Sequence, residues 1–193
     1  MTDASWLAPL ALVIIAAAVF LRARRKHRPS AGAVNGWKIN WSTGLPQAPT
    51  PQGAGWAIGV QPGQSLHYVQ KYDPPSLHEG MMLTARLRVT GSFAGLEEPA
   101  PCVSLIIQRK GDSGREKGYR LYSFKSVPLT EGEHVLTVPV TPTEFGDVLE
   151  TIDHAAFLRV LSEAESIGLL FGSDSGRGHG VAGVGRVELL SLA

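Results

Sequence analysis

Cysteine is almost absent from this chain: Cys102 is the only one in 193 residues. One thiol excludes an internal disulfide framework and a cysteine-built zinc site, and it leaves the compartment open. A basic excess is missing as well. The 18 Lys and Arg stand against 17 Asp and Glu; without Asp3 and the basic residues Arg22, Arg24, Arg25, Lys26 and Arg28, 13 face 16 from Pro29 onward, a charge near −3. Such a balance provides no field for nucleic acid. Strands do not alternate with helices, which argues against Rossmann and TIM architectures.

Catalytic motifs are missing too. His78 and Glu79 are followed by Gly80, Met81 and Met82, so no HExxH zinc signature forms. The six histidines, His27, His67, His78, His134, His154 and His179, show no metal-ligand spacing. In the run from Gly172 to Gly176, Asp174 stands where a nucleophile elbow requires serine. Glu97 and Glu98 are neighbours beside Pro99 and read as a solvated loop. Glu133 and Glu188 fall on predicted strands, where a glycosidase-like pair would have to face across a cleft. The expectation is a protein without catalysis.

Long apolar runs are also scarce, with one exception. From Ala4 to Leu21 no side chain is charged, and the run leads straight into the basic cluster ending at Arg28. As a helix it would be roughly 27 Å long, close to the roughly 30 Å of a bilayer's hydrocarbon. Leu10, Leu12, Val13, Ile14, Ile15, Val19, Phe20 and Leu21 leave no polar face, which sets a membrane span above a buried core helix. A cleavable signal would carry its charge before the run, whereas Asp3 precedes and the basic block follows. Trp6 suits one interface and the basic cluster the other. The expectation is a single-pass cell-membrane protein meeting lipid through residues 4–21. The positive-inside bias puts the domain on the cytoplasmic side. Long domains translocate regardless of local charge, so the periplasmic or extracellular side stays open.

The remainder is punctuated by Gly and Pro, with short runs of β-branched and aromatic residues between. This pattern predicts strands at 37–41, 56–60, 65–70, 82–90, 102–109, 119–124, 134–140, 167–171 and 184–192. Leu83, Ala85, Leu87 and Val89 alternate with Thr84, Arg86, Arg88 and Thr90, so one face is buried and one wet. One helix begins near Asp153, with Phe157, Leu158 and Leu161 on one stripe and Arg159 and Glu163 outward. The predicted layout is an anchor with basic flank at 1–28, a linker at 29–36, and a domain at 37–193. Its fold class is all-β: an antiparallel β-sandwich, a jelly roll of about 8–9 strands with one short helix. Gly178, Gly180 and Gly183 spell G-x-G-x-x-G, but only a strand follows, so the glycines read as positive-φ loop positions and not as a dinucleotide fingerprint.

The segments 82–91, 131–139 and 143–148, and above all the closing stretch from Ile167 to Leu192, resemble the galactose-binding-like jelly rolls. That superfamily includes many carbohydrate-binding modules. The resemblance rests on strand order and loop character, and it implies a non-catalytic binding domain, often for sugars, sometimes with a structural calcium ion. No other cofactor is implied.

A pyranose has one apolar face and a ring of hydroxyls, so its site needs an aromatic platform flanked by polar side chains. Trp41 and Trp56 flank the long Pro/Gly loop and Tyr72 opens another, which makes them the platform candidates. At least two of Trp37, Trp41 and Trp56 are expected in the core. Gln108, Arg109 and Arg120 are polar candidates on neighbouring strands, set against the plainer reading of a solvated sheet face. Asp174 and His179 are candidates in the Gly-rich loop. Two functions fit: a membrane-anchored module recognising a carbohydrate or similar polar envelope ligand, or a membrane-tethered domain that docks a membrane protein partner and binds no sugar.

Overall fold

A computed structural model describes residues 34–97, 100–109, 120–147, 152–173 and 178–193. The expected span at 4–21, its basic flank and most of the linker lie outside them. Among the described residues no helix is long and apolar enough to cross a membrane.

The described chain is all-β and antiparallel, with one short helix. Its strands are β1 (Trp37–Thr43), β2 (Thr50–Gln52), β3 (Gly55–Val60), β4 (Ser65–Tyr72), β5 (Met82–Gly95), β6 (Cys102–Arg109), β7 (Arg120–Pro128), β8 (Gly132–Pro139) and β9 (Phe145–Gly146). Helix α1 (His154–Ser162) follows, then β10 (Ala164–Gly172) and β11 (Val181–Leu192). The last strand organises the rest. Along one edge β11 pairs with β5; along the other it pairs with β3 through residues 185–189 and with β4 through Val181 and Ala182. Two runs of strands therefore meet at β11. One is β2-β3-β11-β5-β8 and the other is β1-β4-β10-β6-β7-β9.

Alternation in β5 is as expected: Leu83, Ala85, Leu87 and Val89 are buried, with polar residues between them facing out. The strand runs past its expected end at Thr90. Gly91, at φ +88°, lets two backbones close in where an added Cβ would lie 2.6 Å from the Gly185 Cα. One core draws side chains from both runs, among them Ile58, Leu87 and Leu136 from one and Leu105, Ile107, Leu169 and Phe171 from the other. Trp56 belongs to that core. It is fully buried, edge-on to Trp37 with ring centroids 5.8 Å apart, so it offers no solvent-facing platform. Its neighbours Ala57 and Ile58 are buried too, because β3 lies inside its run between β2 and β11.

The helix starts where the sequence places it. The Asp153 carboxylate accepts a 2.7 Å bond from the Ala156 N–H and so satisfies an otherwise orphaned donor of the first turn. Phe157, Val160 and Leu161 enter the core. Leu158, expected on that stripe, is exposed, and the i, i+3, i+4 set built on Phe157 recruits Val160 instead. Two short strands escaped the pattern. β2 forms a tight hairpin with β3 through Gly53 at φ +56°, and β9 adds only Phe145 and Gly146 to the edge of β7.

Candidate functional site

The outward side of the second run carries aromatic and polar side chains where a solvated face would carry paired charges. On β4 the core takes Val69, and by the period of two Tyr68, Gln70 and Tyr72 point outward. Register then sets whole rows across the sheet. Tyr72, Ser166, Gln108 and Arg120 stand opposite one another on β4, β10, β6 and β7, and Gln70, Gly168, Ile106 and Tyr122 form the next row.

Gln70 is the hub. Only 3% exposed, it donates from Nε2 to Ser166 Oγ at 3.0 Å and to Gln108 Oε1 at 3.2 Å, while its Oε1 accepts from Asn40 Nδ2. The same Asn40 amide donates to Tyr72 Oη at 2.9 Å. Five side chains from four strands thus form one network. The hub fits this closely because Gly168 beside it has no side chain; a Cβ there would lie 2.8 Å from the Gln70 Cα.

Next to the network lies the platform. Trp41 is 51% exposed, and its ring stacks on Tyr68 (centroids 5.4 Å, 19° between planes) and on His67 (4.2 Å, 19°). The indole is stacked against two rings, which fixes its orientation. A break in the β1–β4 register around Trp41 sets it beside β4 residues that a regular ladder would not bring together. The Arg120 guanidinium lies 5.8 Å from the centre of the Tyr68 ring. Burial pushes the Tyr68 phenol above its ordinary range, and the Arg120 charge pulls it partly back. On β7 a second aromatic, Phe124, is 46% exposed, edge-on to Tyr122 and above Gly146.

His67, beneath Trp41, is itself buried. Its Nδ1 is 3.2 Å from the Gly178 carbonyl and its Nε2 is 3.1 Å from Ser65 Oγ, which assigns the proton to Nδ1 and makes Nε2 the acceptor. Desolvation lowers its pKa, the Gly178 carbonyl opposes that shift, and His179 adds to it. Gly178 and Gly180 hold φ of +81° and +93°, the positive-φ role expected of them, and no helix follows.

Of the candidates drawn from sequence, Trp41, Tyr72, Gln108 and Arg120 come together on this face. Arg109 does not. It alternates to the other side of β6 and pairs with Glu163 at the end of α1 at 2.9 Å. His179 turns to the Glu97 carboxylate, and Asp174 lies outside the described residues. Sequence reasoning missed Gln70, Ser166 and Asn40. Gln70 ends the predicted strand 65–70 and Ser166 lies just before the predicted strand 167–171, so no polar residue inside an apolar run marked either of them.

On the other run the outward side is charged. Glu133 and Glu188 flank a single guanidinium, with Arg88 Nη2 2.7 Å from Glu133 Oε1 and Arg88 Nη1 3.5 Å from Glu188 Oε2, and Arg186 Nε is 2.8 Å from Glu188 Oε1. The hydrogen bond from Arg88 holds the Glu133 carboxyl below its usual range, the reverse of what a general acid requires. Among the described residues no group of three or more His, Cys, Asp or Glu converges to hold a metal ion, so the calcium implied by the resemblance finds no such donor set there. Compared with known protein-family models and with curated proteins, the chain matches none.

Proposed function

We propose that this is a membrane-anchored, non-catalytic binding module of the β-sandwich jelly-roll type, which recognises a carbohydrate through the part of the second run's outward face that reaches solvent, around Trp41, Asn40, Tyr72 and Gln108. One observation carries the reading: a half-exposed tryptophan, backed by two rings, lies beside a network of amide and hydroxyl groups. The indole suits the apolar face of a pyranose, and Asn40, Tyr72 and Gln108 suit its hydroxyls. Because Trp41 is held before ligand arrives, less conformational entropy is lost on binding. The docking alternative has less support. On the other run Val135 and Val184 are exposed singly among Arg86, Arg88, Glu133 and Arg186, and scattered apolar exposure of this kind is ordinary.

The test is an oligosaccharide array probed with the full chain in mild detergent, beside its Trp41→Ala variant. Binding that disappears with Trp41→Ala is the expected result. A chain that binds nothing on the array, or binds equally well without the indole, refutes the reading. A reporter fused to Ala193 then places the domain on one side of the membrane. An external domain meets envelope glycans; a cytoplasmic one turns the search to intracellular sugars.

A further inference from the structure

The platform stands on a titratable group. His67 is buried between the Trp41 ring, Ser65 and the Gly178–Gly180 segment, and both of its ring nitrogens are engaged. Gly180 presses on the edge of the imidazole that lies between those nitrogens. A Cβ there would fall 2.5 Å from Cε1 and 2.6 Å from Nδ1. Water has no room at the edge where an imidazolium most needs it. The segment is also tied down by the Gly180 N–H, which donates to the Phe171 carbonyl at 3.0 Å, and by the Gly180 carbonyl, which accepts from the Leu96 N–H at 3.1 Å.

We propose that His67 is the positioning residue of the Trp41 platform, holding it against the Gly178–Gly180 segment while neutral and releasing it when protonated. This rests on the proposed role of Trp41 as the ligand platform. The charges around the imidazole favour the neutral form. From the segment, His179 opposes a second cation, although its partner Glu97 softens that opposition. From β4 itself comes Tyr68, whose ring centre lies 5.8 Å from the Arg120 guanidinium. From β1 comes the indole of Trp41, and from β11 the strand start at Val181 and Ala182, which pair with Leu66 and Ser65 and carry no charge. Protonation makes Nε2 a donor, so the Ser65 hydroxyl must turn its own proton away and accept instead, and it leaves a cation without water. Opening the segment hydrates that cation and removes the support under Trp41. The face is then ordered at neutral pH and loosened in acid.

Proton NMR of the full chain in detergent micelles, titrated from pH 8 to pH 4.5, tests this without any ligand. The His67 Cε1–H resonance is expected to titrate with a midpoint below 6.5, and the Trp41 indole N–H to shift with the same midpoint. His67→Gln should abolish the Trp41 transition. His179→Gln, at an exposed position, should move the midpoint upward, which keeps the proposal testable if His67→Gln does not fold. A Trp41 resonance unmoved across the range, one that titrates equally in His67→Gln, or a midpoint unmoved in His179→Gln overturns it. If the platform titrates as described and the array yields no ligand, the carbohydrate reading fails and the positioning role stands.

Discussion

Replacing Gln70 tests whether the network holds this face together. Gln70→Leu keeps nearly the same volume, so the cavity left behind is small, but it strips the Ser166 hydroxyl of the 3.0 Å bond it accepts. Ser166 is fully buried, and leaving a buried polar group unsatisfied costs about 1–3 kcal/mol. Asn40 is exposed and turns to water, so it adds little. The expected loss is therefore about 2 kcal/mol. Ser166→Ala removes the acceptor while Gln70 Nε2 keeps Gln108 at 3.2 Å, and should cost about 1 kcal/mol. In the double variant neither orphan remains, and its cost should fall short of the sum by about 1 kcal/mol. Urea unfolding of the full chain in detergent, followed by the emission of buried Trp37 and Trp56, reads this as a shift in midpoint at constant slope. Additivity within about 0.4 kcal/mol, or an unchanged midpoint for Gln70→Leu, would show that the hub carries no energy.

Gly168→Ala forces a Cβ to within 2.8 Å of the Gln70 Cα, where only backbone can give way, and should cost about 3 kcal/mol, whereas Gly59→Ala, with nothing within 4 Å, should be close to neutral. Equal urea midpoints for the two variants would refute the packing argument. Stability should also depend on pH through His67. Burial holds its folded pKa below the ordinary value of about 6.5, so between the two values the unfolded chain binds more protons. Its contribution is complete above about pH 7.5, falls as pH drops through 6.5, and levels off below the folded pKa. Urea midpoints measured against pH for the wild type and for His67→Gln isolate this part, and curves of the same slope between pH 7.5 and 5 would contradict it.

Strands and their alternation were legible because period-two burial is a local property. Leu83 to Thr90 shows it, and β6 runs from Cys102 to Arg109 as the residues predict. The Asp153 cap was legible for the same reason, since a capping carboxylate and its N–H are three residues apart. β2 and β9 were not, because strands of three and two residues have no periodicity to read. Nor were the roles of Trp41 and Trp56. Both flank one loop and look alike in sequence, but β1 lies at the edge of its run and β3 inside the other, so one ring is half-exposed and the other is buried. Gln108 and Arg109, adjacent candidates, fell on opposite sides of β6, and only the register with β10 decides which side meets Gln70.

By itself the sequence determined the all-β antiparallel class, the helix and its cap, and the glycines at positive φ. It also set the charge balance and the apolar run from which the membrane anchor is inferred. Each depends on residues within a few positions of one another, where sterics, hydrogen-bond reach and hydrophobicity act locally. Only the tertiary structure decided that Asn40, Gln70, Gln108 and Ser166 meet, that Trp41 rests on His67 and Tyr68, and that Arg88 divides Glu133 from Glu188. Those contacts bring together residues 26 to 100 positions apart, as Trp41 with His67 and Arg88 with Glu188 illustrate, and pairing register alone sets which side chains share a face.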